Sequence, residues 1–422
     1  MSSALLTAAA LVRTDLPGAG IAAVDAARVA ARACVQGAAG LADARSELWR
    51  YLPLRALEAL TLAPAQASSM AADDVLPVTT GARLVFVNGV FDAAASCTDA
   101  LPPGVRWLAL SQLQAPDWTH YAALLDADGE AIPDAWNLAQ ARGGHVLDVA
   151  PDTQCTQPLE IVYAGTRVPG QWHARSLVRL GSGARLVVRE RYLGGAGLAS
   201  VRTRWQLAQG AHLDLLQQQQ AGEDMRLLRR DAFTLQAGSS LKLHALQLGA
   251  GLSRHELAMS LAGPQARVVL RQLALLDARQ HGEQVLDLLH AAGATASDLR
   301  CRAVASGRAR AVLHGAIRIA AGADGSDAAL DTRNLLLSDQ AEVDARPTME
   351  IFADEVRAAH GASVGQLDAD MLFYLRARGL DEAQARAMLI AGHGRALLAD
   401  IADARLRTDA EAALDARVAC MR

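Results

Sequence analysis

Between Ser176 and Ile351 the chain repeats itself, and the repeat limits the folds open to it. Leu177–Val188, Trp205–Leu216, Phe233–His244 and Met259–Leu270 each read as a short alternation of apolar and polar residues, a glycine-centred turn, and a second alternation. The turn glycines Gly183, Gly210, Gly238, Gly263, Gly293 and Gly322 recur at intervals of 25 to 30 residues, the range of repeat architectures. Alternation with period two specifies strands, and a glycine corner supplies the positive φ of a sharp bend. One such unit cannot bury its apolar face alone; stacked on the next, it can. The pattern predicts a parallel β-helix. The rival is a β-sandwich, whose strands come singly at roughly 8–12-residue spacing, whereas here strand pairs recur.

The flanks read differently, giving an N-terminal helical domain over 1–80, a β-helix core over 81–350 and a C-terminal helical domain over 351–422. Ile21–Val35 is alanine-rich and favours helix. Ser46–Leu60 follows as helix, with Trp49 and Tyr51 as packing anchors, and Ala63–Asp74 reads as a linker. Asn88-Gly89 within Arg83–Phe91 signals a hairpin. Pro102-Pro103-Gly104 turns the chain, Val105–Leu110 reads as a strand, and His120–Leu138 as a helix. After Ile351 the strands are expected to stop. Asp368–Arg378 carries acids at its start and arginines in its last turn, suiting a helix ended by Gly379. Further helices are expected from Asp381 and over Ala399–Arg417, as a module on the end of the solenoid.

Composition narrows the function. A net charge of −4 over 422 residues leaves no basic excess for a nucleic-acid backbone. Five scattered cysteines, Cys34, Cys97, Cys155, Cys301 and Cys420, form neither a disulfide framework nor a C-x-x-C pair, which fits a reducing cytoplasm. Met1–Leu11 lacks a positive n-region and is interrupted at Arg13 and Asp15, so neither a signal peptide nor a membrane span is expected.

Gly361-Ala-Ser363-Val-Gly365 matches the nucleophile-elbow pattern. Its context is strand after strand, with only Asp381 and His393 beyond it as partners, and does not support a hydrolase. Of eleven histidines, most read as rung residues; Gln217–Gln220 reads likewise as polar rung residues. His360 stands apart at the junction of solenoid and tail. An imidazole is a competent iron or zinc ligand but needs company, and Glu350, Asp354 and Glu355 are its nearest acids in sequence. The alternative function is a carbohydrate-active β-helix enzyme of polysaccharide-lyase type. With 4% aromatic residues, the chain is poor in sugar platforms, and the repeats show no acidic cluster.

Arg346–Asp368, with the run His360-Gly-Ala-Ser-Val-Gly-Gln-Leu-Asp368, and the following Met371–Leu380 resemble the C-terminal signature of the SufB/SufD family. Glu47–Tyr51 and Leu84–Gly89 agree. The resemblance implies a mainly β chain, a right-handed parallel β-helix (β-solenoid) flanked by helical domains. It implies a non-enzymatic scaffold of iron–sulfur cluster assembly, pairing with a SufB-like subunit and docking a SufC-like ATPase through its C-terminal helices. The expected cofactor is a transient Fe–S cluster shared with SufB, with none in the isolated chain. His360 would be the cluster ligand at that interface, beside thiolate and carboxylate ligands from SufB. Phe373, Tyr374, Arg376 and Arg378 lie on the helix expected to meet the ATPase, although core packing is the first expectation for Phe373. One departure from the family pattern is Ala358, where a cysteine is usual. An exposed solenoid edge also templates pairing with a second copy.

Overall fold

The computed structural model describes residues 15–42, 46–68, 81–126 and 131–421. Within them, nineteen strands divide between a ten-stranded and a nine-stranded sheet, consecutive strands of the body alternating from one sheet to the other. Pairing within each sheet is parallel from Gln154–Gly165 to Arg357–Gly365 and from His145–Val149 to Glu342–Ile351. This is a parallel β-solenoid, as the repeat predicts. The repeat length varies from 26 residues between Arg226 and its partner Leu252 to 32 between Arg310 and Glu342. The corners absorb most of the difference, and one bulge between Cys155 and Leu159 takes up two residues within a strand.

What holds the coils together is column stacking. Leu159, Val188, Leu215, Leu243, Leu270, Leu299 and Leu330 are successive ladder partners. All are at most 3% exposed. Each fully buried leucine contributes roughly 1.5–3 kcal/mol. Four of the six turn glycines take the expected positive φ: Gly183, Gly210, Gly238 and Gly322. At the other two corners the left-handed residue is Gln265 or Ala294. Gly263 is needed for another reason, since a Cβ there would lie 2.1 Å from the backbone nitrogen of Ala237. Asn88 and Gly89, both at positive φ, turn the hairpin in which Val87 pairs with Val90.

Seven α-helices accompany the sheets among the described residues: α1 (Ala22–Gln36), α2 (Leu54–Glu58), α3 (Ala115–His120), α4 (Ala131–Gln140), α5 (Ala369–Ala377), α6 (Glu382–Leu398) and α7 (Ala404–Cys420). Several expectations need correction. The helix expected from Ser46 begins only at Leu54, residues 46–51 forming turns. Trp49 is nonetheless a buried anchor, with the Arg254 guanidinium 3.8 Å from its ring. The single helix expected over His120–Leu138 is two, α3 ending where it was to begin and α4 starting at Ala131. The Met1–Leu11 segment and the part of the expected linker from Ser69 to Asp74 lie outside the described residues. Strands do not stop at Ile351, because Arg357–Gly365 adds one more rung. Nor does the tail cap the solenoid. The apolar residues Ile390, Leu397, Leu406, Leu414 and Val418 of the tail pack on Val187, Leu216, Leu246, Leu273 and Val304, the outer face of the ten-stranded sheet. The opposite flank is covered by the N-terminal segments, where Val35, Leu52, Leu57 and Trp136 meet Leu198, Leu228 and Leu252.

Candidate functional site at the open end of the solenoid

The last rung places His360. Ala358, His360, Ala362 and Val364 pair with Ala328, Leu330, Thr332 and Asn334, all four of which are buried. Ladder partners in a parallel sheet share a face, so His360 lies on the inner face, at the head of the Leu159–Leu330 column. No further coil covers it, and every residue of Arg357–Gly365 is exposed. A position that is leucine or valine in the coils beneath carries an imidazole where the column opens to solvent. Its side chain has no hydrogen-bond or ion-pair partner among the described residues.

Around it the end is apolar and its backbone edges are free. Arg357–Gly365 and Glu342–Ile351 are the terminal strands of the two sheets, each presenting a row of unpaired donors and acceptors. Met349 and Val356 pack partly on the core, while Ile351, Phe352 and Val364 remain exposed. The acids near His360 in sequence do not join it. Glu350 pairs with Arg318 at 3.2 Å. Asp354 and Glu355 sit at the corner, where the Asp354 N–H donates to Asp324 and the Glu355 carbonyl accepts from Gly325 N. No group of three His, Cys, Asp or Glu able to hold a metal ion occurs among the described residues. His360 alone can supply one bond.

The nucleophile-elbow motif has no elbow. Ser363 lies in extended strand with its hydroxyl 3.5 Å from Thr332 O, Asp381 caps α6 by accepting from Gln384 N, and His393 bonds Arg333 O. All six tryptophans are buried or half-buried, which leaves no indole platform for a sugar ring.

The helix carrying the expected partner residues is α5, capped by Asp368, which accepts from Asp370 N and Met371 N. No residue of α5 is buried. Phe373, expected in the core, is 74% exposed. The core was already filled by α6 and α7, so α5 has nothing left to cover. Tyr374 lies under Arg378 at 5.0 Å, and Arg376 reaches Glu382 at 3.7 Å. Met371, Phe373 and Tyr374 are thus left exposed on a free helix.

Sequence reasoning missed a second feature, an ionic cluster inside the solenoid. Asp231 accepts hydrogen bonds from Trp205 Nε1 (3.0 Å), Gln217 Nε2 (3.1 Å), Arg229 (3.2 Å) and His255 Nε2 (2.8 Å). The same Gln217 amide donates to Glu190 at 2.7 Å. Arg229 stacks on the Tyr192 ring at 4.0 Å. All of these side chains are buried. Burial pushes the Glu190 carboxyl up to about 7, with Asp231 acting in the same direction. Burial also opposes ionisation of Asp231, but the His255 hydrogen bond and the Arg229 charge outweigh it and hold that carboxyl well below its usual range. Parity was the available signal, since Glu190 and Asp231 fall on inward strand positions that one neighbouring coil fills with Ile161 and Leu257, the other with the polar Gln217 and Thr203.

Buried histidines give the fold an acid limit. Burial lowers His145, His255 and His290 to about 4. The unfolded chain, with histidines near 6.5, then binds more protons between those values, so stability falls as pH drops from about 6.5 toward 4. The urea midpoint is expected to fall between pH 7 and pH 5. In His145→Gln the fall will be shallower by about one proton.

A model described as SUF system FeS cluster assembly, SufBD core domain, matches residues 163–393. The chain belongs to the SufBD family. An iron–sulfur cluster assembly SufBD family protein of Synechocystis is 28% identical over 376 residues, covering 84% of this chain and 82% of the relative. The iron–sulfur cluster assembly protein SufD of Escherichia coli is 26% identical over 396 residues, 90% of each. The matched SufBD core takes in the solenoid from Tyr163, the open end with His360, all of α5 and the first part of α6. As a SufBD protein, the chain is a component of iron–sulfur cluster assembly.

Proposed function

We propose that this chain is a non-catalytic scaffold subunit of a cytoplasmic SufBCD complex. Its open end pairs with the β-helix of a SufB-like subunit, α5 docks a SufC-like ATPase, and a nascent Fe–S cluster forms at the SufB-facing end. The observation that carries this reading is His360, an unpartnered imidazole heading an otherwise apolar column on a free edge strand. A single imidazole cannot hold a cluster, so the remaining thiolate and carboxylate ligands come from the partner. Ala358 gives this chain no thiol beside His360, which leaves the imidazole as its own contribution. Free strand edges suit β-augmentation, with main-chain hydrogen bonds supplying affinity and the exposed apolar residues between them supplying fit. In the absence of a partner the same edges accept a second copy of the chain.

Co-expression with SufB-like and SufC-like chains tests the assignment. His360→Ala is expected to leave the complex at its normal size on gel filtration, because the exposed side chain makes no hydrogen bond or ion pair among the described residues. Iron and sulfide per complex should fall several-fold. An unchanged cluster content would remove His360 from the ligand set.

A further inference from the structure

Lys242 is the chain's only lysine, and it lines a cavity unrelated to the open end. The cavity, about 210 Å³, lies where the turn between α6 and α7 crosses the outer face of the ten-stranded sheet. Val187 and Leu216 wall it from the sheet, Ile401 and Leu406 from the tail. The amine has one hydrogen bond, a long one of 3.4 Å to the Asp400 carbonyl. The acids around it are committed elsewhere. Asp214 pairs with Arg185 at 3.1 Å. Asp400 accepts from His244 at 2.9 Å and from Arg271 at 3.1 Å. Asp403 caps α7, accepting from Arg405 N and Leu406 N.

We propose that this cavity binds a small aliphatic monocarboxylate, its carboxylate on Lys242 and its chain between Val187, Leu216, Ile401 and Leu406. A cationic amine without a carboxylate partner, beside an apolar recess, complements an anionic head on a short apolar body, and a charge-assisted hydrogen bond fixes the head. The volume limits the body to a chain of about six to eight carbons, at roughly 30 Å³ per water-sized unit. Both walls contribute, so occupancy ties the tail to the sheet and raises the stability of their contact by mass action.

The probe is sodium hexanoate added to the full-length chain, with hexylamine as control, read by saturation-transfer NMR. Hexanoate is expected to bind saturably and hexylamine not to. Hexanoate should also protect Lys242 from trinitrobenzenesulfonate, a reaction with no other side-chain amine to confuse it. Lys242→Met keeps the stem and should weaken binding about tenfold or more. Leu406→Trp, which fills the apolar end, should abolish binding while leaving Lys242 reactive. Equal binding of hexylamine, undiminished binding by Lys242→Met, or absence of saturation and of protection in the wild-type chain would each overturn the proposal. Protection in the wild-type chain decides the matter even where a variant fails to fold.

Discussion

Replacing Asp231 with Asn will destabilise the solenoid by about 3–5 kcal/mol, the usual result of stripping one partner from a buried ion pair, whereas Glu190→Gln will stabilise it at pH 8. The two acids share the Gln217 amide, yet their charges cannot both be held. Arg229 is the one fixed cation of the cluster, and His255, lowered to about 4 by burial, is neutral at pH 7. The cluster balances when Asp231 is ionised and Glu190 keeps its proton. An asparagine at 231 turns an amide donor toward Gln217, Arg229 or His255, all of them donors already, and leaves Arg229 uncompensated. A glutamine at 190 reproduces the neutral acid. Since the folded value of Glu190, about 7, lies above the ordinary 4.5, the native chain binds the extra proton between those limits. Its stabilisation is complete below about 4.5 and is lost as pH rises through 7. Glu190→Gln should match wild type near pH 4.5 and exceed it by roughly 1–3 kcal/mol at pH 8. Urea unfolding of both variants at the two pH values checks this. Equal responses of the two variants would refute the assignment of the proton to Glu190.

The solenoid was legible because its signal is summed over many coils. Period-two alternation and recurrent glycines describe a stack even where a single turn deviates, as at Gln265 and Ala294. The end of the stack was harder to read. Arg357-Ala-Ala-His-Gly-Ala-Ser-Val-Gly365 lacks the large apolar residues of earlier rungs because nothing packs on its outer end, so it does not resemble a strand of the same series. His360 could be singled out by its motif, but its position at the head of a leucine column required the register. The tail's docking face was illegible for another reason. In alanine-rich helices the contrast between faces is weak, and Leu397, Leu414 and Val418 announce burial without naming the surface that buries them. The interior cluster was hidden because a polar rung residue names no partner in the sequence, and only the register sets Glu190 beside Gln217.

Replacing Leu397 with Asp will detach the helical tail, while Phe373→Asp will leave it in place. Leu397 is 1% exposed within the apolar contact between the tail and the ten-stranded sheet. Packing there is close enough that a Cβ on Gly394 would lie 2.9 Å from Leu414 and 3.0 Å from Leu273. A carboxylate buried in that apolar contact loses its hydration, which costs several kcal/mol. The tail contact is local, and the coils beneath keep their own ladder. The expected result is therefore partial: rapid protease cleavage after Gly365, hydrophobic-dye binding at the uncovered Leu246–Leu273 face, and far-UV strand signal close to wild type. Phe373 touches no core, so its replacement should shift neither the melting temperature nor the cleavage pattern. If α5 is the ATPase-docking helix, both variants lose the SufC-like partner but for separable reasons, one by loss of the contact side chain and the other by loss of the platform. Retained binding by Phe373→Asp would move the docking surface off α5, and an intact, protected tail in Leu397→Asp would mean that the polar latch of Asp400 to His244 and Arg271 holds the tail without its apolar face.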